Sequence, residues 1–264
     1  MSKINIENLR YRYPISKTDV LRGISLQIPE GKVTALLGPN GSGKSTLFKV
    51  LIKVLNPYVG DVYVNGENLK NISVDALSKI MAWVPQEEDS LFPYTVLDYV
   101  LLGRTPHLGF FNMPSRKDEE IAHNVLAQLN LSTTMHRKVP TLSGGEKKLV
   151  SIARALVQEP DTLILDEPTA HLDIGNKMKV LNIIREMANS GRTVIFSTHD
   201  PNEVFLVADN VAIMNGGEIV SEGPPAVAIT EETLEKVYGV PVMVHKINGK
   251  QVLVGVRPES FKSF

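Results

Sequence analysis

The spacing of hydrophobic positions changes twice along the chain, and its first part has the pattern of an α/β unit. Apolar and polar residues alternate over residues 3–9 and similarly over residues 20–28, which predicts strands. Val33–Leu37 is a continuous apolar run, as in a buried strand, and it ends at a glycine-rich turn that opens a predicted helix over residues 44–55. Further strands are predicted over residues 60–64 and 80–84.

The middle of the chain, from about residue 87 to residue 159, has helical periodicity instead. Helices are predicted over residues 95–103, 115–130 and 146–157. The second has five apolar residues on one face, namely Ile121, Ala122, Val125, Leu126 and Leu129. Ser115 and Asp118 supply a cap for its first turn. No strand pattern interrupts this stretch, so we expect a mostly helical insertion.

Alternation of strands and helices resumes after residue 160. Strands are expected over residues 162–165 and 193–197, and helices over residues 174–188, 202–207 and 231–238. Two β-hairpins are predicted from the residues of their turns. The first pairs residues 211–214 with 218–221 around Asn215-Gly216-Gly217, and the second pairs 240–245 with 251–256 around Asn248-Gly249. We interpret residues 1–240 as one α/β domain and residues 241–264 as a short hairpin extension.

Composition narrows the possible functions mainly by exclusion. The 264 residues include 28 Lys plus Arg against 29 Asp plus Glu, a balance that argues against a polyanion-binding domain. The absence of cysteine excludes a disulfide framework and a cysteine-ligated metal site. The sequence has no signal-peptide pattern and no apolar window near the roughly 18 residues of a spanning helix. We therefore expect a soluble cytoplasmic protein that meets a membrane only through a protein partner.

The glycine-rich turn fits a phosphate-binding loop. Residues 38–45 read G-P-N-G-S-G-K-S, which matches G-x-x-x-x-G-K-[ST] between a strand and a helix. Glycines let successive backbone N–H groups point at one spot, and the helix N-terminus adds its dipole. In this pattern Lys44 pairs with the β- and γ-phosphates and Ser45 places its hydroxyl on Mg²⁺. The loop by itself leaves kinases, GTPases and helicases open.

Two acids follow the apolar strand at residues 162–165. The carboxyl edge of a parallel sheet is where its ligands bind, so Asp166 and Glu167 are expected beside the phosphate loop. Asp166 is a candidate holder of Mg²⁺, through water or through Ser45. Glu167 points to the other side of the pleat and is a candidate to polarise a water for attack on the γ-phosphate.

A second candidate phosphate receptor is Leu142-Ser143-Gly144-Gly145-Glu146. Ser143 and Glu146 form the pattern of a capping box. Gly144 and Gly145 strip side chains from the first helical turn and expose its N–H groups, which makes the helix end attractive to an anion.

With this segment the chain resembles the ATP-binding cassette (ABC) ATPases. The matching pieces stand in the family's order: the phosphate loop, Gln86 after an apolar strand, LSGGE at 142–146, LDEP at 165–168, and His199 after Ser197-Thr198. The resemblance extends to about Tyr238. It implies a P-loop NTPase core of α/β class with an N-terminal antiparallel β subdomain and an inserted α-helical subdomain. It also implies Mg-ATP as ligand and a homodimer that closes on ATP.

The resemblance assigns a role to each matching residue. Tyr13 stacks on adenine, with Tyr11 as the alternative; His199 contacts the γ-phosphate; Gln86 links Mg²⁺, the attacking water and a membrane subunit; Asp173 crosses the dimer interface. The nucleotide is held by Gly38, Pro39, Asn40, Gly41, Ser42, Gly43, Lys44, Ser45 and Thr46 of one copy and by Ser143, Gly144 and Gly145 of the other. Mg²⁺ is held by Ser45, Gln86 and Asp166. Glu146 departs from the glutamine that is more usual there, and we expect it to face its own helix.

A narrower resemblance concerns transport. Residues 94–100 and 102–109, and the tail around residues 233–240, are similar to ATPases of importers for iron–siderophore, haem, cobalamin and some oxyanions. This implies a subunit at the cytoplasmic face of the membrane, bound to separate permease subunits and indirectly to a substrate-binding protein. A non-transport ABC ATPase and an importer ATPase for an unrelated solute remain alternatives. We interpret Arg104 and His107 as part of an insertion surface or loop rather than as metal ligands.

Overall fold

Two main sheets form the framework of the computed structural model, which describes residues 2–86, 92–109, 112–247 and 250–255. The strands are β1 (Ser2–Tyr11), β2 (Leu21–Pro29), β3 (Val33–Leu37), β4 (Val59–Val64), β5 (Glu67–Asn68), β6 (Met81–Val84), β7 (Thr162–Leu165), β8 (Thr193–Thr198), β9 (Asn210–Asn215), β10 (Glu218–Gly223), β11 (Val242–Ile247) and β12 (Lys250–Gly255). The α-helices are α1 (Lys44–Leu51), α2 (Val74–Ile80), α3 (Val96–Leu101), α4 (Arg116–Gln128), α5 (Gly144–Leu156), α6 (Ile174–Asn189), α7 (Pro201–Val207), α8 (Pro225–Ala228) and α9 (Glu231–Tyr238).

Strand pairing separates an antiparallel layer from a mostly parallel one. The first sheet has the order β2-β1-β4-β5 with antiparallel pairs throughout. The second has the order β10-β9-β3-β8-β7-β6; β9, β3, β8, β7 and β6 are parallel, and β10 closes the edge antiparallel to β9. The α/β class, the antiparallel subdomain and the inserted helical subdomain that the sequence predicts are all confirmed.

The parallel sheet is buried on both faces, which explains the continuous apolar run of β3. All five side chains of Val33–Leu37 are buried. Because alternate residues of a strand point to opposite faces, Val33, Ala35 and Leu37 pack into the core under the helices, whereas Leu36 packs into the core facing the antiparallel sheet. Helix α1 lies between the two sheets, and its Leu47 and Phe48 are fully buried there. The sheets therefore fix the turn that joins β3 to α1.

The insertion is helical where the structure describes it, with α3, α4 and α5 and three 3₁₀ turns. The Ser115 cap is confirmed, since Ser115 and Asp118 form a reciprocal capping box on α4. Some local expectations differ. Helix α1 ends at Leu51 rather than at residue 55, and the helix predicted over residues 95–103 ends at Leu101 and continues as a 3₁₀ helix. Residues 74–80 form α2, which the sequence analysis missed, so Ile80 belongs to that helix rather than to β6.

The tail contains the predicted helix and the second hairpin. Helix α9 ends at Tyr238, as expected, and β11 pairs with β12 from Val242↔Gly255 to Ile247↔Lys250. The predicted turn residues Asn248 and Gly249 lie outside the described residues. The domain boundary at residue 240 stays a prediction. Among the helices that the structure describes, none is both long and apolar enough to cross a bilayer.

The interpretation of Arg104 as part of a surface is wrong. Its side chain is buried in the helical subdomain, where Nε donates to Asp118 Oδ1 at 2.8 Å and Nη1 donates to the Val157 carbonyl at 2.7 Å and to Glu159 Oε2 at 2.8 Å. Asp118 is also part of the capping box of α4, and hydrogen bonds from Ser115, followed by the contact with Arg104, hold the pKa of this carboxyl well below its usual range. Arg104 thereby ties the start of α4 to the end of α5.

Replacing Arg104 with alanine is therefore expected to destabilise the protein, because it leaves the buried Asp118 carboxylate without its cation. Breaking a buried pair in this way costs about 3–5 kcal/mol of unfolding free energy. Urea denaturation of Arg104→Ala measures the loss, with Arg116→Ala as a control, since Arg116 is an exposed arginine at the start of α4. Equal stability of the two variants would contradict a structural role for Arg104.

Candidate active site

The phosphate loop lies between β3 and α1, and its glycines are required by contacts as well as by dihedral angles. A side chain on Gly38 would place a Cβ 2.2 Å from the Met214 carbonyl oxygen, so the loop backbone packs directly on β9. Gly41 and Gly43 have φ of 80° and 107°, in the left-handed region that glycine adopts most readily. The loop turns its backbone into a cavity of ≈ 280 Å³, to whose lining residues 40–46 contribute.

Lys44 is buried at the base of this loop. Its Nζ donates to the Gly38 carbonyl at 2.8 Å and to the Pro39 carbonyl at 3.1 Å, and it lies 3.6 Å from Glu167 Oε1. Burial lowers the pKa of Lys44, and the charges of Glu167 and Asp166 partly oppose this shift. The side-chain oxygen of Ser42 is also buried and has no hydrogen-bond partner among the described residues. A cation and an unsatisfied hydroxyl in one loop fit an anionic ligand such as a phosphate chain.

The two acids follow β7, as the sequence predicts, and Ser197 of β8 fixes them. The Ser197 hydroxyl donates to Asp166 Oδ1 at 2.6 Å and accepts the Glu167 backbone N–H at 2.8 Å. Glu167 has φ of 42°, a left-handed conformation that is uncommon for a residue with a side chain and is concentrated at functional sites. This bend directs Glu167 away from the strand.

Glu167 lies between two other residues that the sequence analysis named as candidate site residues. Its Oε1 faces Lys44 Nζ at 3.6 Å and its Oε2 faces His199 Nδ1 at 3.5 Å. Glu167 is 8% exposed, whereas the His199 side chain, at the end of β8, is 56% exposed. Lys44, Glu167 and His199 therefore form one cluster at the carboxyl edge of the parallel sheet.

Two cavities meet at this cluster. Gln86, Asn40 and Glu167 line both the cavity of ≈ 280 Å³ over the phosphate loop and a second cavity of ≈ 270 Å³ that His199 also lines. The Gln86 backbone is held by Lys148 of α5, whose Nζ donates to the Gln86 carbonyl at 2.8 Å. A carboxylate, a hydroxyl and an amide oxygen are the hard ligands that Mg²⁺ accepts beside phosphates and waters, so Asp166, Ser45 and Gln86 fit this ion chemically.

Ser143 caps α5, and Glu146 behaves as the sequence analysis expects. Ser143 Oγ accepts the Glu146 N–H at 3.3 Å, and Glu146 Oε2 accepts the Ser143 N–H at 2.8 Å. The hydrogen bond from the Ser143 backbone is the main cause that lowers the pKa of Glu146. The carboxylate thus faces its own helix and also pairs with Arg137 at 2.9 Å. The first turn of α5 remains without a projecting side chain at Gly144 and Gly145.

Gly145 and Asp173 meet through Asn176. Asp173 caps α6, accepting the Asn176 N–H at 2.9 Å and its side-chain amide at 2.7 Å. A Cβ on Gly145 would lie 2.5 Å from that amide nitrogen, so this glycine permits the close approach of α5 and α6. Ser143, Gly144, Gly145 and Asp173 line neither of the two cavities around Glu167 in the described part of the chain. The predicted nucleotide ligands on α5 and α6 therefore do not share a cavity with those of the phosphate loop in the described part of the chain.

The two candidate stacking tyrosines differ in access. Tyr11 is buried in the antiparallel subdomain, whereas Tyr13 is half-buried and its hydroxyl lies 3.3 Å from Thr46 Oγ1 of α1. The rings meet edge to face with centroids 5.0 Å apart. The geometry favours Tyr13 as the base platform, because it is next to the phosphate loop and keeps an accessible ring.

Sequence reasoning missed a buried network behind His199. Glu203 of α7 accepts hydrogen bonds from Thr169 at 2.8 Å and Thr198 at 2.6 Å, and its other oxygen pairs with Lys177 at 2.8 Å. The network joins the segment after Glu167 to the segment that carries His199. Thr169 and Thr198 lie beside recognised motifs. Lys177 carries no local signal, since its contact with Asp200 spans 23 residues; Glu203 lies five residues after Thr198, but its contact with Thr169 spans 34 residues.

Comparisons with known proteins identify the family of the chain. The ABC transporter family profile matches residues 21–170. A hemin import ATP-binding protein, HmuV, of Nocardia farcinica is 36% identical over 240 residues, covering 90% of this chain and 83% of the relative. A manganese transport system ATP-binding protein, MntB, of Listeria innocua is 34% identical over 238 residues, covering 89% and 96%. A solved structure described as an inward-facing metal-chelate type ABC transporter is 30% identical with a TM-score of 0.85, covering 98% and 99%.

The position of Tyr13 predicts a selective effect on nucleotide binding. Tyr13→Ala is expected to raise KM for ATP while kcat at saturation changes little, because stacking on a base contributes about 1–3 kcal/mol. Tyr13→Phe keeps the ring and loses only the contact with Thr46, so it serves as the matched control. Steady-state kinetics over a range of ATP concentrations measure both constants. An unchanged KM in the alanine variant would exclude Tyr13 as the platform.

Proposed function

Because the chain belongs to the ABC transporter family of ATPases, we propose that it is the ATP-hydrolysing subunit of an importer for a metal-chelate-type solute. The observation that carries the catalytic part is the position of Glu167, between Lys44 at 3.6 Å and His199 at 3.5 Å at the edge of the phosphate-loop cavity. The transport part is supported by the family and by the names of the relatives. ATP binding, dimer closure and hydrolysis would then be coupled to uptake.

In this proposal the phosphate loop binds the triphosphate of ATP. Lys44 exchanges the carbonyls of Gly38 and Pro39 for the β- and γ-phosphate oxygens, and the exposed loop N–H groups complete the shell. Bound Mg²⁺, held by Ser45, Asp166 and Gln86, would neutralise phosphate charge. Tyr13 orients the adenine.

Glu167 acts as the general base. Its carboxylate is bent out of the strand toward the cavity and accepts a proton from the water that attacks the γ-phosphate in line. His199 lies at its other oxygen and contacts the γ-phosphate, which keeps water and phosphate aligned. Gln86 lies at the junction of the two cavities and senses whether the γ-phosphate is present.

The site is completed by a second copy of the chain. The bare N-terminus of α5 and Asp173 line neither of the cavities in their own copy, so they are available to a neighbour. Two-fold pairing brings the α5 N-terminus of each copy over the phosphate loop of the other and produces two equivalent sites. The positive end of α5 then faces the γ-phosphate, so we expect ATP to favour the dimer.

Glu167→Gln is expected to abolish turnover and to trap this dimer. Loss of a general base slows the reaction by about 10²–10⁴-fold, whereas the amide keeps the shape of the site and lets ATP bind. ATPase assays and light scattering measure the two effects, and the matched control is Glu120→Gln on the exposed face of α4. Hydrolysis near the parental rate would assign the base to another residue. A variant that stays monomeric with saturating Mg-ATP would contradict the dimer.

The helical insertion is the proposed docking surface for the permease. Phe92 and Tyr94 are exposed aromatic residues in contact with each other, six to eight residues after Gln86. Leu91, Phe110 and Phe111 are further apolar residues of this stretch of the sequence, and they lie outside the described residues. Exposed apolar side chains beside the Gln86 segment are suited to a protein partner. Docking there would place the subunit at the cytoplasmic face of the membrane, with a binding protein as an indirect partner.

For the transported solute we propose only a chemical class. The hemin and metal-chelate names of two relatives favour iron–siderophore, haem, cobalamin or a related oxyanion system. The manganese transport relative favours an unrelated solute, a free metal ion, as the second candidate. Uptake assays with the cognate permease and binding protein, using haem, an iron–siderophore and Mn²⁺, distinguish these candidates.

A charge at the proposed docking surface is expected to abolish transport without affecting ATP hydrolysis. Phe92→Glu should abolish co-purification with the permease and transport, while the isolated subunit keeps its ATPase activity, because Phe92 does not line either cavity of the site. Val227→Glu, an equally exposed apolar position on α8, is the control. If the Phe92→Glu variant still assembles with the permease and supports transport, the docking surface lies elsewhere. If no permease binds even the parent chain, the result favours the non-transport alternative.

A further inference from the structure

The C-terminal unit formed by α9, β11 and β12 contacts the backbone of the segment that carries His199. Tyr238, the last residue of α9, is half-buried, and its hydroxyl donates to the His199 carbonyl oxygen at 3.0 Å. Burial, and after it the charge of Asp200, raises the pKa of the Tyr238 hydroxyl, so this group stays protonated and remains a donor. The contact joins residues 39 positions apart in the sequence.

A second contact from the same unit lies one turn further on. The Leu253 N–H of β12 donates to the Asn202 side-chain oxygen at 2.8 Å. Asn202 stands in the first turn of α7, and its own N–H donates to Asp200 Oδ1 at 2.9 Å. The tail therefore holds the chain on both sides of Asp200, immediately after His199.

The unit has the internal contacts needed to act as one body. Glu231 at the start of α9 accepts the Val244 N–H of β11 at 2.9 Å, and β11 pairs with β12 over its whole length. Val242, Val244 and Leu253 pack against the core under the helices, as does the partly buried Tyr238. A displacement of the hairpin would therefore be transmitted to both contacts with the His199 segment.

The orientation of His199 depends on contacts with its backbone, because its side chain makes few contacts in the part of the chain that the structure describes. The imidazole is 56% exposed, and the described contact of its ring is the 3.5 Å approach of Nδ1 to Glu167. The direction of the ring is consequently set by its backbone. From the inside, Thr198 is fixed by its hydrogen bond to Glu203 and accepts the Asp200 N–H at 3.1 Å. From the outside, Tyr238 binds the His199 carbonyl itself.

We propose that the C-terminal unit is a positioning element for catalysis, in which Tyr238 holds the His199 carbonyl and β12 holds Asn202, so that the imidazole points at the γ-phosphate position. The inference rests on the proposed role of His199. Tyr238 touches neither of the cavities around Glu167, and it acts through the histidine backbone. The tail should therefore set the rate of hydrolysis and leave ATP binding unchanged.

The first test removes one oxygen atom. Tyr238→Phe is expected to lower kcat by about 2- to 10-fold, the effect of one net hydrogen bond, with KM for ATP unchanged. Tyr63→Phe is the matched control, because Tyr63 is a half-buried tyrosine of β4 whose hydroxyl has no described partner. Thermal unfolding of both variants checks that they are folded. A parental kcat in Tyr238→Phe would overturn the inference.

The second test asks whether the effect passes through His199. In a His199→Ala background, Tyr238→Phe should slow turnover no further, whereas a general loss of structure would reduce the rate in both backgrounds. If His199→Ala itself keeps the parental rate, the proposed role of His199 is wrong and the inference falls with it. If His199→Ala is slow and Tyr238→Phe reduces its rate by the same factor as in the parent, only the positioning role is wrong.

A third pair of variants addresses the hairpin without touching Tyr238. Asn202→Ala leaves the Leu253 N–H without its acceptor and is expected to lower kcat with KM unchanged. Asn202→Asp keeps an oxygen at the same place and should restore turnover toward the parental rate. Equal rates for the alanine and aspartate variants would exclude the β12 contact from the positioning element.

Discussion

The hydroxyl group of Ser197 connects the end of β8 to the two acids at the end of β7, and the geometry of the site depends on it. One hydrogen bond reaches the Asp166 carboxylate and the other receives the Glu167 N–H. The pair holds Glu167 in its left-handed conformation, which a residue with a side chain adopts only when its surroundings enforce it. From that position the carboxylate reaches both Lys44, which follows β3, and His199, which follows β8. Three neighbouring parallel strands thus deliver three side chains to one point.

The sheets and helices around the cluster of Lys44, Glu167 and His199 hold it in place, whereas the first turn of α5 does not contribute to it. The antiparallel sheet buries α1 from one side, and the helices bury the parallel sheet from the other. The helical insertion contributes Lys148, which holds the Gln86 backbone, and the first turn of α5 does not line the cavity over the phosphate loop of its own chain. In the proposed function, one copy supplies the catalytic side chains but only half of the nucleotide shell, which is the physical basis of the proposed two-fold assembly.

Most features that depend on residues close together in the sequence were predicted, whereas several features that depend on distant residues were missed. The phosphate loop, the Ser143 cap and the Ser115 cap were predictable because their residues lie within a few positions of one another. Helix α2 was missed although Ser73 caps it, because only Leu77 on it is buried and an amphipathic pattern needs more turns. Arg104 was assigned to a surface because an isolated arginine gives no sign of partners 14 and 55 residues away. The contact of Tyr238 with His199 was likewise invisible, since neither residue type specifies the other.

The close approach of Gly38 to Met214 has a consequence for how the nucleotide is bound. The Gly38 backbone rests on the β9 carbonyl and Lys44 is bonded to two loop carbonyls, so contacts within the protein define the backbone conformation of the loop. Association then orders few additional backbone torsions, so the entropic penalty falls mainly on the ligand and on the union of two copies. The affinity of a single copy for the nucleotide should therefore benefit from a preorganised loop, and in the proposed dimer the conformational change falls on the approach of the two copies.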